Sequence, residues 1–199
     1  MYSLSIQAGG KSTRMGTNKA LIPFNGVPLI QRIVSRLRQS SDDLYITSNS
    51  VEGFESLGIP IYPDVTTATG ALGGLITALH YARHETVAVA ACDLPFILPA
   101  LLDAEAALLE QLGVDVVIPR TSTGLEPLLA VYRVGTCLPA AMQALEHGKQ
   151  RMISWFDHVK VHQMDEEAIR QVDPLMQSFI NLNTPQDLQN ALLLVDRLS

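Results

Sequence analysis

Thr86 to Cys92 (TVAVAAC) is an unbroken run of β-branched and small apolar residues. A run this short and this uniformly apolar fits a strand covered on both faces, and such strands belong to parallel sheets with helices packed on either side. Around it, short apolar runs alternate with helical patterns, the order of an α/β chain. Leu4 to Ala8, Leu44 to Thr47, Ile59 to Tyr62, Val114 to Ile118 and Leu128 to Tyr132 read as further strands, and Val159 to Met164 as an edge strand. Pro28 opens a helix whose Ile30, Ile33, Val34 and Leu37 share one face, and Leu72, Leu75, Ile76 and Leu79 repeat that spacing. Helices are also expected from Pro99 through Leu112, over Leu138 to Leu145, and from Pro185 to Leu198. No repeat or linker interrupts the pattern. The expected architecture is therefore one three-layer α/β/α domain over residues 1–199, with a mostly parallel, Rossmann-like sheet.

Composition narrows the partners. Apolar residues make up 47% and charged residues only 17%, so the chain can bury a substantial core. The net charge of −6 comes without a Lys/Arg-dense face, which argues against nucleic acid. No apolar run nears the roughly 18 residues that span a bilayer, so no membrane contact is expected. The first residues lack a basic segment followed by an apolar one, so no secretory leader is expected. Cys92 and Cys137 stand far apart without metal-type spacing, which fits a reducing, cytoplasmic setting.

The segment richest in chemistry follows the first strand: Ala8-Gly9-Gly10-Lys11-Ser12-Thr13-Arg14-Met15-Gly16-Thr17-Asn18-Lys19. Glycines let a backbone turn sharply and bring its N–H groups to an anion. With Lys11, Arg14 and Lys19 in the same loop, a polyanion is the natural occupant. It is not a P-loop, because the glycine required five residues before Gly10 is Ser5. It is not a dinucleotide fingerprint either, since the glycines fall at 9, 10 and 16. Asp93 stands just past the apolar strand, at the edge where α/β sheets place ligands. A carboxylate there suits Mg²⁺, although an aspartate before Pro95 also reads as a turn or helix cap.

AGGKSTRMGTNKAL resembles the N-terminal signature of nucleotidyltransferases of the sugar-nucleotide pyrophosphorylase type. Cys92-Asp93-Leu94-Pro95-Phe96, Glu126 to Arg133 (EPLLAVYR) and Asn181-Leu182-Asn183-Thr184-Pro185 extend the likeness along the chain. Together they are similar to the molybdenum cofactor guanylyltransferase family. That resemblance implies the nucleotide-diphospho-sugar transferase fold. It also implies transfer of GMP from Mg-GTP to the terminal phosphate of molybdopterin or molybdenum-molybdopterin, with release of pyrophosphate. By the same resemblance Gln7, Ala8, Gly9, Lys19, Asn49, Asp64 and Asp93 contact GTP, Arg14, Lys19 and Asp93 are catalytic, and Asp93 holds the metal. Gln7 replaces the family's usual leucine, at a position expected to contact the nucleotide through its backbone. Transient contacts with other cofactor-biosynthesis proteins are implied too.

The remaining candidates are plainer. Asn49 and Asp64 are also common turn formers. Asn183 could cap the last helix or reach the metal, Asn181 could also reach the metal, and Thr184 is an equally good cap. Arg120, Arg133 and Arg151 could grip the acceptor phosphate or lie on the surface. His80 and His84 have the i, i+4 spacing of a metal helix without the accompanying glutamate, and read as surface residues. Cys92 reads as packing. Three alternatives stay open: transfer of CMP to molybdopterin, a nucleotidyltransferase acting on a sugar phosphate or methylerythritol phosphate, and a non-catalytic nucleotide-binding module.

Overall fold

A computed structural model of the chain describes residues 1–9, 18–66 and 70–198. The first half contains β1 (Ser3–Gln7), β2 (Pro23–Phe24), β3 (Val27–Pro28), α1 (Leu29–Leu37), β4 (Leu44–Thr47), β5 (Ile61–Tyr62), α2 (Ala71–Tyr81) and β6 (Thr86–Ala91). The second contains α3 (Pro99–Leu112), β7 (Val116–Thr121), β8 (Gly124–Leu125), β9 (Leu129–Arg133), α4 (Val134–Glu146), β10 (Val161–Met164), α5 (Glu166–Val172) and α6 (Pro185–Leu198). The main sheet runs β10-β7-β9-β6-β1-β4-β5, with β8 paired to β7 outside that order. Its pairings are parallel except where β9 lies between β6 and β7 and where β8 folds back on β7.

The apolar run of β6 shows why the chain forms three layers. All six of its residues are buried. Ala88 and Ala90 face Leu29, Ile30 and Ile33 of α1 and Leu101, Leu102 and Leu109 of α3. Val87 and Val89 face the other way, into a second core with Leu72, Leu75, Ile76 and Leu79 of α2 and Cys137, Ala141 and Ala144 of α4. This is the period-two alternation of a strand serving two cores. Trp155 completes the second core and is fully buried.

The elements depart from expectation in a few places. The helix expected over Leu138 to Leu145 starts at Val134 and runs through Pro139. The proline is the sixth residue of α4, where its missing N–H leaves the carbonyl of Gly135 without its i+4 donor. Asp165 accepts a hydrogen bond from the backbone N–H of Ala168 (2.9 Å) and caps α5, an element the periodicity did not suggest. Asn25 and Gly26 take φ of +49° and +84°, forming the two-residue turn between β2 and β3.

Candidate active site

The carboxyl ends of β1, β4 and β6 share one edge of the sheet, and side chains from distant parts of the sequence collect there. Lys19 lies in a short 3₁₀ turn, Lys19–Leu21, started by Asn18, whose side chain accepts from the N–H of Ala20 (3.1 Å). From this turn the Lys19 ammonium reaches Asp93, donating to Oδ2 at 2.5 Å. It also donates to Asn183 Oδ1 at 2.7 Å and to Asn181 Oδ1 at 3.3 Å. The Lys19 and Asp93 side chains are only 15% and 14% exposed, so solvent screens the pair weakly. The other carboxylate oxygen, Asp93 Oδ1, is buried without a hydrogen-bond partner.

Two backbone bonds explain how these groups are brought together. Cys92 donates its N–H to the carbonyl of Gln7 (3.0 Å), which locks the end of β6 to the end of β1. Leu182 donates its N–H to the carbonyl of Asp93 (3.1 Å), which brings the Asn181–Asn183 segment beside Asp93. Beyond them, Thr184 Oγ1 accepts from the N–H of Asp187 (3.1 Å), and Asp187 Oδ2 accepts from the N–H groups of Asn183 (3.0 Å) and Thr184 (2.8 Å). Thr184 is therefore the cap of α6, and both asparagine side chains are left to Lys19.

A second pair stands past β4. Asn49 donates to Asp64 Oδ2 (2.7 Å) and accepts from the Asp64 N–H (2.9 Å), joining the loops that follow β4 and β5. Ala8 donates its N–H to the carbonyl of Thr47 (3.0 Å), so the ends of β1 and β4 are locked as well. Gly9 is exposed, and among the described residues a Cβ added there would meet nothing within 4 Å. Arg14, Lys11 and Met15 lie outside the described residues.

An edge that presents a shielded lysine, an orphaned carboxylate oxygen and two asparagine amides is suited to a phosphorylated ligand. Residues 4–163 match the family model described as the MobA-like NTP transferase domain. The chain belongs to that family. A protein of Pelotomaculum thermopropionicum described as a probable molybdenum cofactor guanylyltransferase is 35% identical over 191 residues, covering 96% of this chain and 92% of its own. The molybdenum cofactor guanylyltransferase of Desulfosudis oleivorans is 32% identical, with 94% and 92% covered. Among solved structures, molybdopterin-guanine dinucleotide biosynthesis protein A from Archaeoglobus fulgidus superposes with a TM-score of 0.86 at 25% identity, covering 98% of this chain and 99% of its own. The 2-C-methyl-D-erythritol 4-phosphate cytidylyltransferase of Thermus thermophilus shares the fold, with a TM-score of 0.73 at 15% identity and 98% of both chains covered.

This MobA-like chain is thus a nucleotidyltransferase, and several other residues can be placed against its site. Arg120, the residue before the end of β7, lies toward the same edge as Asp93 and donates to Gln163 (2.9 Å). Arg133 pairs with Thr86 at the start of β6, on the order of 20 Å from the Asp93 edge, and reaches Glu110 instead. Arg133 therefore cannot share a ligand phosphate with Asp93. Arg151 is exposed. His84 falls beyond the end of α2 and faces Asp42 (2.7 Å), so it does not share a helical face with His80. Burial pushes the Cys92 thiol up to about 12, with Asp93 adding to the effect, which leaves it unsuited to be a nucleophile. Among the described residues, no helix is long and apolar enough to cross a membrane.

Sequence reading missed where the Gln7 side chain lies. Its backbone carbonyl is engaged by Cys92, while its carboxamide packs over Gly74 of α2. No spacing in the sequence joins positions 7, 47 and 74.

Proposed function

We propose that the chain transfers GMP from Mg-GTP to the terminal phosphate of molybdopterin or molybdenum-molybdopterin, releasing pyrophosphate and forming the guanine dinucleotide form of the cofactor. The observation that carries this reading is the contact of Lys19 with Asp93, Asn181 and Asn183 at the carboxyl edge of the sheet. The identities and names of the relatives support the choice of guanine and of a molybdenum cofactor acceptor.

In this reading an oxygen of the acceptor phosphate attacks the α-phosphorus. An O–P bond forms there as the bond to the β-phosphate oxygen breaks, and the electron pair leaves with pyrophosphate. Catalysis is chiefly the alignment of two polyanions and the neutralisation of their charge. Lys19 exchanges part of its contact with Asp93 and the asparagines for phosphate oxygens. Arg14 adds a bidentate grip on the leaving phosphates. Ala8, Gly9, Asn49 and Asp64 position the nucleoside.

The donor set fits a magnesium ion. Asp93 Oδ1 is a hard oxygen with no hydrogen-bond partner among the described residues, and the carboxamide oxygens of Asn181 and Asn183 stand around the same lysine. Among the described residues no three His, Cys, Asp or Glu side chains gather, so one carboxylate would hold the ion with waters and substrate phosphates, the habit of Mg²⁺. Bound there, it would offset charge on the phosphates during transfer.

Residues 1–199 act as one nucleotidyltransferase domain in the cytoplasm, meeting other cofactor-biosynthesis proteins transiently, without nucleic acid or membrane. The test is pyrophosphate release with molybdopterin, Mg²⁺ and GTP, CTP, UTP or ATP in turn. Release with GTP above the others is expected. Release with CTP alone would move the reading to cytidylyl transfer, and no release with any nucleotide would leave a binding module.

A further inference from the structure

Gln7 is 8% exposed at the end of β1, and its Nε2 has no hydrogen-bond partner. Thr47, its register neighbour on β4, is 3% exposed, and its Oγ1 has none either. Paired residues on parallel strands present their side chains to the same face, here the face covered by α2. Buried polar groups nearly always find a partner in the protein, in ordered water or in a ligand, so two adjacent orphans at one strand edge call for an explanation. Neither bonds to the other, and each keeps its hydrogen-bonding capacity.

The surroundings are small. The neighbour of Gln7 on β6 is Ala91, and the residue of α2 beneath the carboxamide is Gly74. A Cβ on Gly74 would come within 2.8 Å of Gln7 Oε1 and 3.3 Å of Cδ, so the present position of the carboxamide depends on that glycine. Two residues past Ala91 stands Asp93, and the Gln7 carbonyl is bonded to Cys92 between them. The orphaned amide therefore lies at the same strand ends as the phosphate-handling groups, on the side where Asn49 and Asp64 close the loops after β4 and β5.

We propose that the Gln7 side chain reads the nucleobase: Nε2 donates to a base oxygen and Oε1 accepts from the adjacent ring N–H, with the Thr47 hydroxyl as a further partner. An edge that sets an acceptor beside an N–H donor, as guanine O6 and N1–H do, is matched by a carboxamide in two parallel bonds. Adenine presents the opposite order and fits only the flipped amide. This rests on the reading of the site as a nucleoside triphosphate site and adds to it a specificity-determining side chain.

The experiment is calorimetric titration of wild type, Gln7→Leu and Gly74→Ala with Mg-GTP, Mg-ATP and ribose 5-triphosphate, which carries no base. Leucine is close in size and removes both hydrogen-bonding groups; alanine at 74 displaces the carboxamide while keeping it. Expected for Gln7→Leu is about tenfold weaker GTP binding, or about 1.4 kcal/mol, with ribose triphosphate unaffected and the preference for GTP over ATP reduced. Gly74→Ala should move GTP the same way, and it carries the test if the leucine variant does not fold. GTP affinity within about twofold of wild type in the variants, with wild type binding GTP, would overturn the role of Gln7 alone. Wild type that binds no triphosphate would overturn the nucleotide reading as well.

Discussion

Lys19 spends all three of its donors on protein oxygens, those of Asp93, Asn181 and Asn183. A triphosphate entering the site must take over at least one of them, and the ammonium then becomes a charge-assisted partner of a phosphate. Loss of such a bond costs on the order of 1.5–3 kcal/mol. Lys19→Ala should therefore weaken GTP binding by roughly ten- to a hundredfold, because the cation and its three bonds disappear together. The cluster lies at the rim of the sheet rather than in either core, so the fold should persist. Titration with Mg-GTP at low salt, next to a melting curve, checks both parts. Unchanged affinity would remove Lys19 from the site.

At the scale of elements, α3 carries a feature without any sequence signal. Glu105 is fully buried on it, and neither carboxylate oxygen finds a partner. Burial pushes its carboxyl well above the usual range, so the folded chain keeps this proton to a higher pH than the unfolded chain does. As pH rises through the ordinary carboxyl range, near 4.3, and on toward the raised folded value, the unfolded state releases its proton first and stability falls. Glu105→Gln removes that titration. Its melting temperature relative to wild type should be higher at pH 7 than at pH 4, and parallel melting profiles would contradict the assignment. The other helices were legible to different degrees. The apolar stripe of α1 and the proline that opens α3 mark their starts correctly. Pro139 hid the first turn of α4, because a proline lacks the N–H that a helix interior uses and so reads as a break. The Asn25-Gly26 turn and the Asp165 cap are local signals that were present in the sequence and passed over.

For the molecule as a whole, periodicity was enough to place the layers, since each buried strand must serve two cores. Helix starts and the order of elements followed from turns and caps that act over a few residues. Of the proposed site, the sequence marks only stretches where a motif holds residues close together, as at Gln7 to Gly9 and at Asp93. Its essential contacts are long-range: Lys19 to Asp93, Asn181 to Lys19, Gln7 to Gly74. Such contacts are set by strand order, which a single sequence does not reveal. The name of the family follows from the motifs and the relatives, whereas the chemistry rests on what Asp93 does with its unpartnered oxygen. Asp93→Asn tests that most directly, because asparagine keeps the size and the turn-forming ability of aspartate and removes the charge. With GTP, molybdopterin and Mg²⁺, kcat for pyrophosphate release should fall at least about a hundredfold, roughly 2.7 kcal/mol of transition-state stabilisation, with little change in melting temperature and only partial recovery at high Mg²⁺. Near-normal turnover in a stably folded Asp93→Asn protein would contradict a metal-assisted transfer at this carboxylate.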